Sequence, residues 1–272
     1  VPTTLAEADA AVRGLWPLDG AESWDAPGLV VGDPAAQVTR ILLAVDATLD
    51  TVDDAIATGT DLLLVHHPLL LRGVTSVAED RPKGAIVARL IRAGCALLAA
   101  HTNADVVIEG TSAVLAARLG LLESRPLAPS ATGDGTGIGR VGRLPVPTTL
   151  GRFARALAEI LPATAPGVRV AGDYDHPVET VALCAGAGDS YLSLPAVRAA
   201  DVYVTSDLRH HPASEARENA RVGGGPALVD VSHWAAEWLW LDVAADQLRT
   251  ALPGVEVTVS DVRTDPWDFA IV

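Results

Sequence analysis

The chain has 272 residues, which at roughly 100–200 residues per domain makes one large domain or two smaller ones. Hydrophobic residues make up 49% and charged residues 20%, enough apolar side chain for a true core, so disorder is excluded as the main state. Lys and Arg number 20 against 34 Asp and Glu, and the net charge of −14 speaks against long nucleic acid and anionic lipid as partners, since both need basic surface to meet phosphate.

No apolar run reaches the ~20 residues that a membrane span requires. The first residues, VPTTLAEADAAVRGLW, lack a basic segment followed by an apolar one, so a cytoplasmic protein is expected. Cys95 and Cys184 each sit in an apolar run. They read as small buried hydrophobes; their spacing suits neither a zinc site nor a disulfide scaffold.

In chain order the pattern predicts a helix near 4–16, strands near 28–32 and 39–46, and a helix near 51–59. A strand at 61–65, a helix near 83–93, a strand at 95–100 and a helix near 109–119 follow. This alternation predicts an α/β fold. The run DLLLVHH, residues 61–67, has almost no polar alternation, as in a parallel strand covered on both faces.

The second half echoes the first. At an offset of 140, Gly32-Asp33 falls on Gly172-Asp173, Ile41 on Val181 and Asp61 on Asp201. At an offset of 145, Thr4-Leu5 and Pro17 fall on Thr149-Leu150 and Pro162. The expectation is two similar α/β halves, 1–125 and 148–272, each a sheet flanked by helices, joined by a Gly/Pro-rich linker at 126–147. The glycines of 133–142 suit either that connection or a phosphate-cradling loop, although no Lys-Ser or Lys-Thr follows as in a P-loop.

Chemistry-bearing residues collect where apolar strands end. His66-His67-Pro68 closes DLLLV, and the proline helps end the ladder there. His101 follows CALLAA, with Asp105 four residues on. His233 and Glu237 follow PALVDV, within 226–250, and lie one turn apart if 233–249 is helical. Each group alone also reads as a capped or ion-paired surface feature. Of these, His66, His67, Asp105, His233 and Glu237 offer three imidazoles and two carboxylates at cleft-forming positions, with no thiolate. Such a set suits two divalent ions about 3.5–4 Å apart, whether zinc, iron, manganese, nickel or cobalt. In Thr205–His211, Asp207 or His211 either faces that cleft or serves as an ordinary cap. Trp234, Trp238 and Trp240 read as core or subunit-interface residues.

HHPLLLRG, AAHTNAD, GIGRVG, ADVYVTSDLRHH and VSHWAAE, in this order, together with WDAPGLVVGDP, resemble the Nif-three-like dinuclear metal centre family, the GTP cyclohydrolase I type 2 homologues. The resemblance covers nearly the whole chain. It implies a two-domain α/β protomer, a toroidal homohexamer and two divalent metals per protomer. Carried over residue by residue, it makes His66, His67, Asp105, His233 and Glu237 metal ligands. His101 matches a histidine near the metals and is the candidate for proton transfer. His211 matches the second-half histidine and is a further catalytic candidate. The family usually has Gly where this chain has Ala185, Ser206 and Ser232, which suggests altered turns with the ligands kept. Longer members carry an inserted middle domain for which this chain has no room.

The function expected is metal-dependent hydrolysis of a small, nucleotide-like substrate. A non-catalytic regulatory or scaffold protein and a metallophosphoesterase acting on nucleotides are the alternatives. A triphosphate would need cations, for which Arg140, Arg143 and Arg209 are the candidates.

Overall fold

The computed structural model describes residues 2–131 and 133–271; Val1, Val272 and Thr132, the last of which falls in the 126–147 segment, lie outside the described residues. The chain forms two compact units, Val1–Val107 with Leu241–Thr264, and Ile108–Trp240 with Asp265–Val272. Both are α/β. No helix among the described residues is long and apolar enough to cross a membrane.

The first unit is built on a five-stranded sheet, in the order Glu256–Val259, Arg40–Ala44, Leu62–Val65, Ala96–Ala99, Gly28–Val31. The first four strands are parallel and Gly28–Val31 runs antiparallel at the edge. All four residues of Leu62–Val65 are completely buried, as a strand covered on both faces requires. At about 1.5–3 kcal/mol for each large apolar side chain removed from water, this strand anchors the unit. The helix Leu49–Ala57 begins in a capping box between Thr48 and Thr51, and Pro82–Ala93 starts with proline and ends at Gly94 in the left-handed region. Ala44 pairs with Val65 and Val65 with Ala99, so the chain leaves these three strands at one level.

The second unit has a six-stranded sheet, in the order Arg169–Ala171, Ala227–Val231, Val202–Ser206, Pro177–Ala187, Arg140–Thr149, Leu122–Arg125. The three strands Pro177–Ala187, Val202–Ser206 and Ala227–Val231 are parallel. Ala187 pairs with Ser206 and Ser206 with Val231, which again brings three carboxyl ends level. Leu127, Val141, Ala182, Cys184, Val197, Tyr203 and Leu228 form part of the core beneath. Both cysteines are free and buried.

Two boundaries differ from the sequence reading. The first unit ends at Val107, not at 125. The 126–147 stretch carries the strands Ala128–Pro129, Gly137–Ile138 and much of Arg140–Thr149. Its glycines let backbones approach: a Cβ on Gly137 would fall 2.3 Å from the Ala128 carbonyl oxygen, and one on Gly142 would fall 2.8 Å from that of Leu122. The tail of the expected second half also returns to the first sheet, where Glu256–Val259 covers the edge of Arg40–Ala44.

The same hydrogen-bond pattern recurs in both units. Asp61 Oδ2 accepts the backbone N–H groups of Thr39 and Arg40 at 2.7 and 3.0 Å. Asp201 Oδ2 accepts those of Glu179 and Thr180 at 2.9 and 2.7 Å. Leu5 N–H bonds to the Ala36 carbonyl, and Leu150 N–H bonds to that of His176.

Candidate metal centre

In the first unit, His66 and His67 follow directly on Leu62–Val65, and both backbone N–H groups bond to the Val45 carbonyl. His66 is fully buried, and its Nδ1 donates to the Ala100 carbonyl at 2.8 Å. His67 Nδ1 donates to Asp46 Oδ1 at 2.7 Å. His101 leaves the end of Ala96–Ala99, and its Nδ1 donates to Asp25 Oδ1 at 2.8 Å. The rings of His66, His67 and His101 gather with centroids 5.0, 5.2 and 5.5 Å apart. Each offers a donor atom within 4.8 Å of the other two. Asp105 ends the short helix Thr102–Asp105, with its Oδ1 3.6 Å from His66 Nε2.

The logic of this cluster lies in the outward nitrogens. A carbonyl or carboxylate oxygen only accepts, so each Nδ1 that meets one must carry the proton. In a neutral ring Nε2 then keeps its lone pair, which turns toward the common centre. Acceptors that fix ring and tautomer in this way are what metal-binding histidines use. Asp25 is part of the same device. Burial opposes its charge, but hydrogen bonds from His101 and Thr102 outweigh burial and hold its carboxyl well below the usual range.

In the second unit, His233 opens the helix His233–Ala251 directly after Ala227–Val231. Its Nδ1 donates to Asp207 Oδ2 at 2.7 Å, and its Nε2 stands 3.0 Å from Glu237 Oε1 on the next turn. Burial favours neutral imidazole, yet the carboxylates of Glu237 and Asp207 overcome it and raise His233 to about 11. Glu237 is buried. Gly186 packs its backbone against this pair at φ 79°. Asp207 holds its position with φ 57°, in the left-handed region.

The sequence-predicted residues thus fall into two sets. His66, His67, His101 and Asp105 come together in the first unit, and His233 and Glu237 in the second. Of Thr205–His211, the residue that reaches His233 is Asp207; His211 is exposed on the helix His210–Gly223, with its ring 5.2 Å from that of His210. Asp25 and Asp46 escaped the sequence reading. Asp46 follows the strand Arg40–Ala44 closely, the same strand-end signal that marked the histidines. Asp25 carries no such signal.

Trp234 and Trp240 are buried. Ala185, Ser206 and Ser232 all keep φ out of the left-handed region, so small side chains fit there without strain. Ser232 accepts from Ala235 N–H at 3.2 Å, which caps the helix His233–Ala251. The arginines considered for phosphate are engaged elsewhere. Arg140 is buried and donates to the carbonyls of Gly137 and Gly139, both at 2.7 Å. Arg209 pairs with Asp189 at 2.5 Å, and Arg143 lies 3.7 Å from Glu123.

The profile of the Duf34/NIF3 (NGG1p interacting factor 3) family matches residues 3–266. A Streptomyces coelicolor protein named GTP cyclohydrolase 1 type 2 homolog is 46% identical over 269 residues, spanning 97% of this chain and 93% of its own. A Mycobacterium leprae protein of the same name is 35% identical, spanning 97% and 95%. Among solved structures, a Bacillus cereus protein related to NIF3 superposes with a TM-score of 0.90 at 23% identity, covering 99% of this chain and 100% of its own. A Staphylococcus aureus hypothetical protein does so at 0.87 and 26%, with the same coverage.

Proposed function

The chain belongs to the Duf34/NIF3 family, and on that premise we propose that it holds two divalent metal ions and hydrolyses a small, nucleotide-like substrate. The ligands are His66, His67 and Asp105 from the first unit and His233 and Glu237 from the second. The observation that carries this reading is the common treatment of four histidines. His66, His67, His101 and His233 each give Nδ1–H to a carbonyl or carboxylate oxygen, at 2.8, 2.7, 2.8 and 2.7 Å. Surface histidines have no reason to share that arrangement, whereas metal ligands do.

The donor set fits. It holds nitrogen and oxygen without thiolate, which suits zinc, iron, manganese, nickel or cobalt. Two divalent ions bring four positive charges that neutral imidazoles do not offset. Asp105 and Glu237 would supply the compensating carboxylates. When bound, such ions supply Lewis acidity and make water a nucleophile near neutral pH. His101 stands close enough to add to the ligand set or to move a proton at its Nε2. The metal content of His101→Ala separates these roles, because only a ligand lowers it.

The relatives' names point to a nucleotide. A triphosphate is less well served, because Arg140, Arg143 and Arg209 face carbonyls or carboxylates. That engagement favours a smaller substrate. It also favours, as second reading, a non-catalytic metal-binding regulatory protein. The family resemblance supports a cytoplasmic homohexamer; light scattering checks the six-subunit assembly. The deciding experiment is elemental analysis of protein purified without an affinity tag, then turnover of nucleotides and phosphoesters with each metal restored. Two metals per protomer and hydrolysis of one substrate class support the first reading. Two metals without turnover support the second. Absence of metal uptake overturns both.

A further inference from the structure

Trp24 is 58% exposed, yet its ring meets His101 edge to face, with centroids 5.9 Å apart and planes at 78°. The loop that carries it is fastened on both sides. Glu22 N–H donates to Thr102 Oγ1 at 2.9 Å. Asp25, which follows Trp24, has a fully buried side chain. Its carboxylate takes His101 Nδ1–H at 2.8 Å, Thr102 N–H at 3.0 Å, Ala26 N–H at 2.7 Å and the Thr102 hydroxyl. The turn that aims His101 therefore also positions Trp24. A large apolar ring is held in water, at a fixed place beside three converging imidazoles.

We propose that Trp24 is the stacking wall of the substrate site, and that the ligand it receives carries a planar heteroaromatic ring whose polar edge turns toward His101. The proposal deepens the metal-centre reading above and rests on it. An edge-to-face contact occupies at most one face of the indole, and the exposure leaves another open. Stacking of a heterocycle on such a face contributes about 1–3 kcal/mol and tolerates many ring types. The chain's net charge of −14 and its engaged arginines also make a flat, weakly charged group a better fit than a polyphosphate chain. The fixed loop means the wall is preformed, so little ordering cost is left for binding.

The test uses metal-restored wild type, Trp24→Phe, Trp24→Leu and Trp24→Ala of this chain, titrated calorimetrically with adenosine and guanosine monophosphates and with ribose 5-phosphate as the control without a heteroaromatic ring. Metal content and oligomeric mass are measured on each. The expected result is that a purine nucleotide binds more tightly than ribose 5-phosphate, that Phe keeps its affinity, and that Leu and Ala lose about tenfold or more. Metal content and assembly stay as in wild type. Equal affinity in Trp24→Leu, or no preference of wild type for the purine over the ribose phosphate, overturns the proposal. So does a change of assembly or metal content in the variants, which marks Trp24 as an interface or scaffold residue. Wild type that takes up no metal overturns the underlying metal reading instead, and elemental analysis shows this before any titration.

Discussion

His67 gives its Nδ1–H to Asp46 Oδ1 at 2.7 Å, while Asp46 takes the hydroxyl of Thr264 on its other oxygen. The carboxylate is thus fixed from one side and fixes the imidazole from the other. It sets the tautomer and raises the basicity of Nε2. Asp46→Asn keeps the shape and removes the charge. Metal affinity should fall about 10- to 100-fold, the usual cost of losing such a partner. Competition with a chromophoric chelator measures this, with circular dichroism to show an unchanged fold. Unaltered affinity would mean that His67 is no ligand.

Glu237→Ala should lose most of the bound metal, and Cys95→Ala none. Glu237 is a buried carboxylate 3.0 Å from His233, whereas Cys95 packs in the first unit's apolar core with its thiol pushed up to about 11 by burial. Removing metal from wild type should lower thermal stability, since only the folded chain presents the assembled ligands. The loss is about 2.7 kcal/mol when free metal stands at 100 times its dissociation constant. Elemental analysis and thermal melts with and without chelator are the measurements. Two metals per protomer retained in Glu237→Ala would sink the ligand set.

Asp61 gives a pH dependence away from the metal centre. Burial opposes its ionisation, but the Thr39 hydroxyl and the N–H groups of Thr39 and Arg40 outweigh burial and lower its pKa. A depressed carboxyl pKa stabilises the fold fully above the unfolded value, near 3.9, and this is lost as pH falls through the folded value. Asp61→Asn should therefore cost about 1–3 kcal/mol at neutral pH, the scale of hydrogen bonds to a charged group. The difference from wild type should shrink as pH falls below about 4. Denaturant unfolding at a series of pH values tests this; a gap that stays constant down to pH 3 would assign the loss to packing.

Much of this architecture is legible from local pattern. Leu62–Val65 is uniformly apolar and ends in two histidines, and His101 follows Ala96–Ala99 in the same way. The helix His233–Ala251 puts His233 and Glu237 on one face by its period alone. What the pattern hides is non-local. Glu256–Val259 returns to pair with Arg40–Ala44 across more than 200 residues, and nothing in its own sequence names that partner. Asp25 meets His101 across 76 residues for the same reason. The glycines of 137–142 read as a linker because Gly content marks loops, yet here they serve close strand packing.

Gly186→Ala tests the His233–Glu237 pair of the second unit. The residue sits at φ 79°, and an added Cβ would fall 2.4 Å from Glu237 Oε1 and 3.2 Å from His233 Nε2. Two costs follow. The backbone strain of a left-handed alanine is about 1–2 kcal/mol, and the methyl must displace the carboxylate that His233 faces. Gly167→Ala separates them, because Gly167 has φ 60° with nothing within 4 Å of its added Cβ. In denaturant unfolding Gly167→Ala should lose the strain alone, and Gly186→Ala should lose more. Gly186→Ala alone should also lose bound metal by elemental analysis, since Glu237 can no longer occupy its place beside His233. A full metal complement in Gly186→Ala would show that Glu237 does not bind metal from the position it holds here, and the proposed role of the His233–Glu237 pair would fall with it.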